Sequence, residues 1–146
     1  MFNKSARFFE EVTSILDSGQ PVDVIYLDFA KAFDKVPHVR LARKLQSHGI
    51  KGQVLKWIEN WLKDRKQRVS LNGRYSKWQE VLSGVPQGSV LGPLLFLIFI
   101  NDIEEEVISK VCKFADDTKI GREVGSEEEV KKLRDDLRRL CEWAKD

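Results

Sequence analysis

Only two cysteines, Cys112 and Cys141, occur in the 146 residues. That excludes a disulfide framework and any cysteine metal-ligand spacing, and it fits a reducing compartment. Histidine is equally scarce, with His38 and His48 alone. No Ser-His-Asp or Cys-His constellation stands out, and the two imidazoles fall where a helix enters and exits, which suits structural roles. The most apolar stretch, residues 94–100, is seven residues long, far below the ~20 needed to cross a bilayer. The opening Met-Phe-Asn-Lys-Ser-Ala-Arg lacks the apolar run of a signal peptide. No internal repeat or low-complexity tract is present. Together these absences lead to the expectation of one soluble, intracellular domain with no membrane partner.

Net charge is also small, at +2, but its distribution is uneven. Residues 31–74 hold twelve Lys and Arg against three Asp and Glu, whereas residues 101–146 hold ten against fourteen. A basic middle beside an acidic tail suits a face for a polyanion. It equally suits two amphipathic helices solvated by Lys and Arg.

Carboxylates stand out against this background. Val24-Ile25-Tyr26-Leu27-Asp28-Phe29 and Cys112-Lys113-Phe114-Ala115-Asp116-Asp117 each run an apolar, strand-like segment into acid. Two carboxylates about 4 Å apart repel by roughly 4 kcal/mol at an effective dielectric near 20. Three converging acids therefore call for a divalent cation with hard oxygen ligands, the chemistry of phosphoryl transfer. Asp-Asp after an apolar run also reads as a plain hairpin turn, and both readings stand on these residues alone.

The hydrophobic pattern predicts a helix over residues 8–16 and a largely buried strand over 22–29. A turn follows at 30–35, then helices at 38–47, closed by Gly49, and at 52–63. Residues 67–71 and 75–81 alternate around Asn72-Gly73, a strong hairpin signal. Residues 83–89 are a loop by composition, and a buried helix is expected from 94 to about 107. A second hairpin flanks Asp116-Asp117, and Ser126 with Glu129 forms a capping box for a last amphipathic helix carrying Val130, Leu133, Leu137, Leu140 and Trp143. The class is α+β, a small antiparallel sheet with helices packed mainly on one face. Strand 22–29 and the Asp-Asp hairpin can then be neighbours, bringing Asp28 beside Asp116 and Asp117.

In chain order, Tyr26-Leu27-Asp28-Phe29-Ala30-Lys31-Ala32-Phe33-Asp34-Lys35-Val36-Pro37-His38, then Ser83-Gly84-Val85-Pro86-Gln87-Gly88-Ser89-Val90-Leu91-Gly92-Pro93-Leu94-Leu95-Phe96, then Phe114-Ala115-Asp116-Asp117 resemble the A, B and C motifs of reverse transcriptases. The flavour is that of non-LTR (LINE-type) retrotransposons. The resemblance implies a polymerase palm with part of the fingers over residues 1–146, a single partial domain without thumb or endonuclease. Asp28 and Asp116 would hold two Mg²⁺ ions, with Asp117 completing the catalytic cluster and the Phe29 carbonyl touching one metal. Mn²⁺ shares the same ligand preferences. Phe33 would floor the incoming sugar, although an aromatic at this place also reads as core. Gln87 and Gly88 would line the nucleotide pocket, in what is otherwise a surface loop, with Gly84 and Gly88 letting the backbone approach a ligand. Arg65, Lys66, Arg68 and Arg74 would track template or primer phosphates, or else are solvated charge.

The implied reaction joins a deoxynucleoside triphosphate to a primer 3′-OH on an RNA template, with pyrophosphate leaving. Nuclear or cytoplasmic residence follows from the family alone. A palm without its clamping regions positions a duplex poorly, so weak or absent synthesis by this chain is expected. The alternative is a non-catalytic nucleic-acid-binding remnant of a mobile element.

Overall fold

The computed structural model describes residues 4–114 and 117–145, arranged as two compact units. One unit takes the chain up to Ala30 and again from Asn101, and the other is Lys31–Ile100. Among the described residues no helix is long and apolar enough to cross a membrane.

The first unit holds α1 (Lys4–Asp17), β1 (Val22–Asp28), a 3-10 turn (Asn101–Glu104), β6 (Lys110–Phe114), β7 (Asp117–Glu123) and α5 (Glu127–Lys145). Its antiparallel sheet has the order β1-β7-β6. The expected α+β class with a small antiparallel sheet is the architecture found, but the expected packing mainly on one face is not, because successive residues of β7 meet α1 on one face and α5 on the other. Gly121 of β7 makes room for α1, since a Cβ there would lie 2.9 Å from the Phe8 ring. Arg122, one residue on and so on the other face, donates from Nη2 to Glu129 of α5 at 2.6 Å. Phe8, Cys112, Ile120, Leu133 and Leu140 are buried here, each fully buried aliphatic side chain contributing ~1.5–3 kcal/mol.

Strand β1 is not the largely buried strand expected. It lies at the sheet edge, and Asp23, Tyr26 and Asp28 are exposed. Its blurred alternation reflects a strand paired on one side only, with part of each face open to water.

Helix α5 carries a surprise in its apolar stripe. Asp136 is fully buried between Leu133 and Leu140. Its Oδ2 accepts from the Ser109 N–H at 2.8 Å and the Ser109 hydroxyl at 2.6 Å, and its Oδ1 from the Ile108 N–H at 3.2 Å and Arg139 Nη1 at 3.2 Å. These donors stabilise a charge that would otherwise be costly to bury, and they pin the residues that lead into β6. The capping box forms by half. Ser126 Oγ accepts from the Glu129 N–H at 3.3 Å, but the Glu129 carboxylate goes to Arg122 and Lys132.

The second unit holds α2 (His38–Ser47), α3 (Gly52–Leu62), the short strands β2 (Lys66–Gln67), β3 (Ser70–Leu71), β4 (Arg74–Tyr75) and β5 (Gln79–Glu80), and α4 (Leu91–Ile100). Helix α2 packs on both α3 and α4, burying Leu41 and Leu45 beside Leu55, Ile58, Leu62, Leu95 and Phe96. It ends as expected at Gly49, where the Gly49 N–H reaches the Gln46 carbonyl and the Ile50 N–H the Leu45 carbonyl, a Schellman closure.

The hairpin forms around Asn72-Gly73, but as two short ladders. Gln67 pairs with Gln79 and Ser70 with Tyr75, so two residues on one strand face three on the other, a β-bulge. Ser76 fills the gap, its hydroxyl accepting from the Val69 N–H at 2.9 Å. Helix α4 is shorter than expected, stopping at Ile100 before the 3-10 turn. Asn101 and Asp102, residue types of low helix propensity, open the 3-10 turn that follows. It is also less buried, since Leu94 and Leu97 each keep 53% exposure. Pro93 sits in its first turn, where the missing N–H costs little, and the Gly92 N–H donates to Ser89 Oγ at 2.9 Å.

Candidate functional site

Asp28 closes β1, Asp117 opens β7, and the antiparallel register places them directly opposite one another. Residues paired this way project from the same face with Cβ atoms about 4.5–5.5 Å apart. Both side chains are exposed. Among the described residues neither is ion-paired, so the like charges are left uncompensated, an arrangement that destabilises a bare ladder. Phe114 pairs with Asp117 on the other side, and the two residues between them, Ala115 and Asp116, lie outside the described residues. The expectation for Asp116 therefore rests on sequence.

Two further pairs share that face, Tyr26 with Lys119 and Val24 with Gly121. The Lys119 ammonium is 5.0 Å from the Phe9 ring centroid and 5.2 Å from that of Tyr26. Helix α1 thus covers the Gly121 end and reaches the Lys119 pair through Phe9, and the sheet face remains open at Asp28 and Asp117. Nothing in the sequence signalled this aromatic seat for Lys119 except strand alternation. The Phe29 ring meets Trp143 edge to face, centroids 6.2 Å apart, and Trp143 Nε1 donates to Asp102 at 2.9 Å. Its side chain is thereby held by α5.

In the second unit the turn at 30–35 and the loop at 83–89 are sewn together. The Val85 N–H donates to the Phe33 carbonyl at 2.8 Å, the Gly84 N–H to the Val36 carbonyl at 2.8 Å, and Ser83 Oγ to the Asp34 carbonyl at 2.8 Å. Gly84 has φ +88°, and a Cβ there would lie 2.7 Å from Asp34 Cα. Its closeness thus serves the Asp34 backbone, which corrects the expectation that it approaches a ligand. The Gly84 carbonyl accepts from His38 Nε2 at 2.8 Å and Arg65 Nη1 at 3.4 Å, so His38 carries its proton on Nε2 and has the structural role expected.

Phe33 stacks on Phe96, ring centroids 4.4 Å apart and 24° between planes, and stays half-buried. Gln87 and Gly88 are exposed at the loop tip. Gly88 has φ +80° and open space where a Cβ would be. Lys66, Arg68 and Arg74 are exposed on the hairpin and Arg65 is half-buried at its base. Arg68 lies over two rings, 3.9 Å from the Tyr75 centroid and 4.5 Å from that of Trp78. The charge count found the basic side chains but not the rings that seat Arg68.

The family model described as reverse transcriptase (RNA-dependent DNA polymerase) matches residues 3–146. A probable RNA-directed DNA polymerase from transposon X-element of Drosophila melanogaster is 30% identical over 145 residues, covering 95% of this chain and 16% of that protein. The RNA-directed DNA polymerase from mobile element jockey of the same fly is 34% identical over 105 residues, 65% of this chain and 11% of the relative. The Pol polyprotein from type-1 retrotransposable element R2 of Popillia japonica is 31% identical over 85 residues, 58% and 14% respectively. The chain thus spans less than a fifth of each of these relatives. With nearly its whole length matched by the family model, this chain belongs to the reverse transcriptase (RNA-dependent DNA polymerase) family.

Proposed function

We propose that the chain is the palm segment, with part of the fingers, of an RNA-directed DNA polymerase of the non-LTR type, forming one functional domain. The observation that carries this reading is the Asp28–Asp117 register at the open end of the β1–β7 ladder. Two exposed carboxylates facing each other, with no basic partner among the described residues, are a donor set suited to Mg²⁺ or Mn²⁺. Asp28, Asp116 and Asp117 would hold the metal, with the Phe29 carbonyl as a further oxygen. When bound, a pair of such ions lowers the pKa of the attacking hydroxyl and neutralises charge on the transferring phosphoryl group.

The chain's own groups then do the positioning. Phe33, fixed by Phe96 and by its carbonyl bond to Val85, presents a rigid aromatic floor to a deoxyribose. Gln87 offers both a donor and an acceptor to a base pair, and Gly88 permits the positive φ at the loop tip. Arg65, Lys66, Arg68 and Arg74 attract the RNA template and DNA primer through phosphate contacts, which set register without reading sequence.

Primer extension on an RNA template with deoxynucleoside triphosphates and Mg²⁺ tests the reading. Template-directed addition, slow in this segment and abolished by Asp28→Asn or Asp116→Asn, is the expected result. Addition that survives both substitutions would contradict it. RNA binding without any addition, unchanged by Asp28→Asn, would favour the non-catalytic remnant.

A further inference from the structure

Residues 66–80 are exposed without interruption. The hairpin they form has two short ladders and no core of its own, and a lone two-stranded hairpin is marginal in water. It nevertheless leaves Val69 at 68%, Leu71 at 70%, Tyr75 at 59% and Trp78 at 57% exposure, with Tyr75 and Trp78 gathered around Arg68 and Leu71 on the opposite face of the ladder. Lys66, Arg68, Arg74 and Lys77 stand on it against the single acid Glu80, and among the described residues none of the four is ion-paired. Arg68 lies over Tyr75 and Trp78, and among the described residues its guanidinium N–H groups have no protein acceptor and stay available to a ligand.

We propose that this hairpin is a stacking arm for an unpaired polynucleotide strand, with bases on Tyr75 and Trp78 and phosphates on Arg68, Arg74 and Lys77. The inference deepens the polymerase reading by assigning its single-stranded template to a named surface. Charge selects a polyanion, and exposed rings select one whose bases are unstacked. A duplex can satisfy the cations but presents no free base to the rings. The contact of Arg68 with both rings restrains its side chain before the ligand arrives, which limits the freedom lost on binding.

The test is fluorescence anisotropy of the 146-residue chain with a labelled single-stranded RNA dodecamer, and with the same sequence as a blunt duplex, across a salt series without divalent metal. The single strand should bind more tightly than the duplex. Tyr75→Leu and Trp78→Leu should each weaken single-strand binding about tenfold while leaving the salt slope unchanged. Arg74→Gln should reduce that slope by about 0.7. Helical circular dichroism checks each variant for folding, and the exposure of residues 66–80 makes loss of the remaining structure unexpected. A Tyr75→Leu/Trp78→Leu double variant with wild-type affinity would overturn the proposal. So would a wild-type chain that binds no RNA, leaving a protein as occupant of the exposed face. Because neither metal nor Asp28 enters the assay, failure of the arm is distinguishable from failure of the polymerase reading, which is decided by extension.

Discussion

Asp28 and Asp117 face each other across β1 and β7, and the next pair on the same sheet face is Tyr26 with Lys119. An ammonium group seated between aromatic rings thus neighbours two acids with which, among the described residues, it forms no ion pair. Replacing Lys119 by Met should leave the fold intact and lower stability by about 1–2 kcal/mol at most, since the half-buried lysine makes two cation–π contacts of ~0.5–1 kcal/mol each. Thermal melts of wild type and variant check this.

Asp136 anchors the approach to β6, and with it the acid-bearing hairpin. Asp136→Ala leaves the Ser109 N–H, the Ser109 hydroxyl and the Ile108 N–H without their acceptor, and should lower stability by roughly 2–4 kcal/mol. Asp136→Asn retains one acceptor oxygen and should cost about half as much. Urea titrations of the two variants give the order.

Thr118 lies beside Asp117 with its side chain on the opposite face. It is buried, and its hydroxyl finds no hydrogen-bond partner among the described residues. Thr118→Val removes an unsatisfied group at constant shape, so stability should stay within about 1 kcal/mol of wild type or rise. A clear loss would reveal a partner for that hydroxyl.

Two glycines of one loop should behave differently. Gly84→Ala meets the Asp34 backbone at 2.7 Å as well as a positive φ, and should cost roughly 2 kcal/mol or more. Gly88→Ala meets only the φ penalty, about 1 kcal/mol. Chemical denaturation separates them, and the nucleotide-pocket role proposed for Gly88 adds a loss of activity out of proportion to its stability change.

The start of α5 supplies the pH dependence. Hydrogen bonds from Lys132 and then Arg122 hold the Glu129 carboxyl below its ordinary value. A depressed native pKa contributes stability that is present above the unfolded value of about 4.3 and is lost as pH falls through the native one. Bonds to Glu128 and then Glu129 raise the Lys132 ammonium, so its contribution is full below about 10.4 and fades as pH rises through the native value. Glu129→Gln should flatten the acid limb of a stability–pH curve.

Much of this architecture is written in local pattern. Asn72-Gly73, Gly49 and the Ser126 cap mark turns and ends through backbone chemistry that a few residues determine, and those features form where the pattern puts them. The strand over residues 22–29 and the hairpin around Asp116-Asp117 made an Asp28–Asp117 neighbourhood conceivable. What the pattern could not carry is pairing order. Whether β1 has one neighbour or two decides its burial, and that depends on residues nearly ninety positions away. The burial of Asp136 within the apolar stripe carries no local signal, because its donors Ile108 and Ser109 are distant in sequence. The Phe9 and Tyr26 partners of Lys119 are hidden for the same reason, whereas the Tyr75 and Trp78 seat of Arg68 depends on the bulge in a hairpin the pattern did place. The closeness of Gly84 is to Asp34, about fifty residues earlier.

The central claim is that the facing acids of β1 and β7 form one divalent-metal site. Titrating Mg²⁺ into the isotope-labelled chain and following the backbone amides of Asp28, Asp117 and their ladder neighbours measures it most directly. Saturable shifts centred on that pair, lost in Asp28→Asn, are the expected result. Shifts that are absent at both residues, or that persist unchanged in an Asp28→Asn/Asp117→Asn double variant, would contradict it.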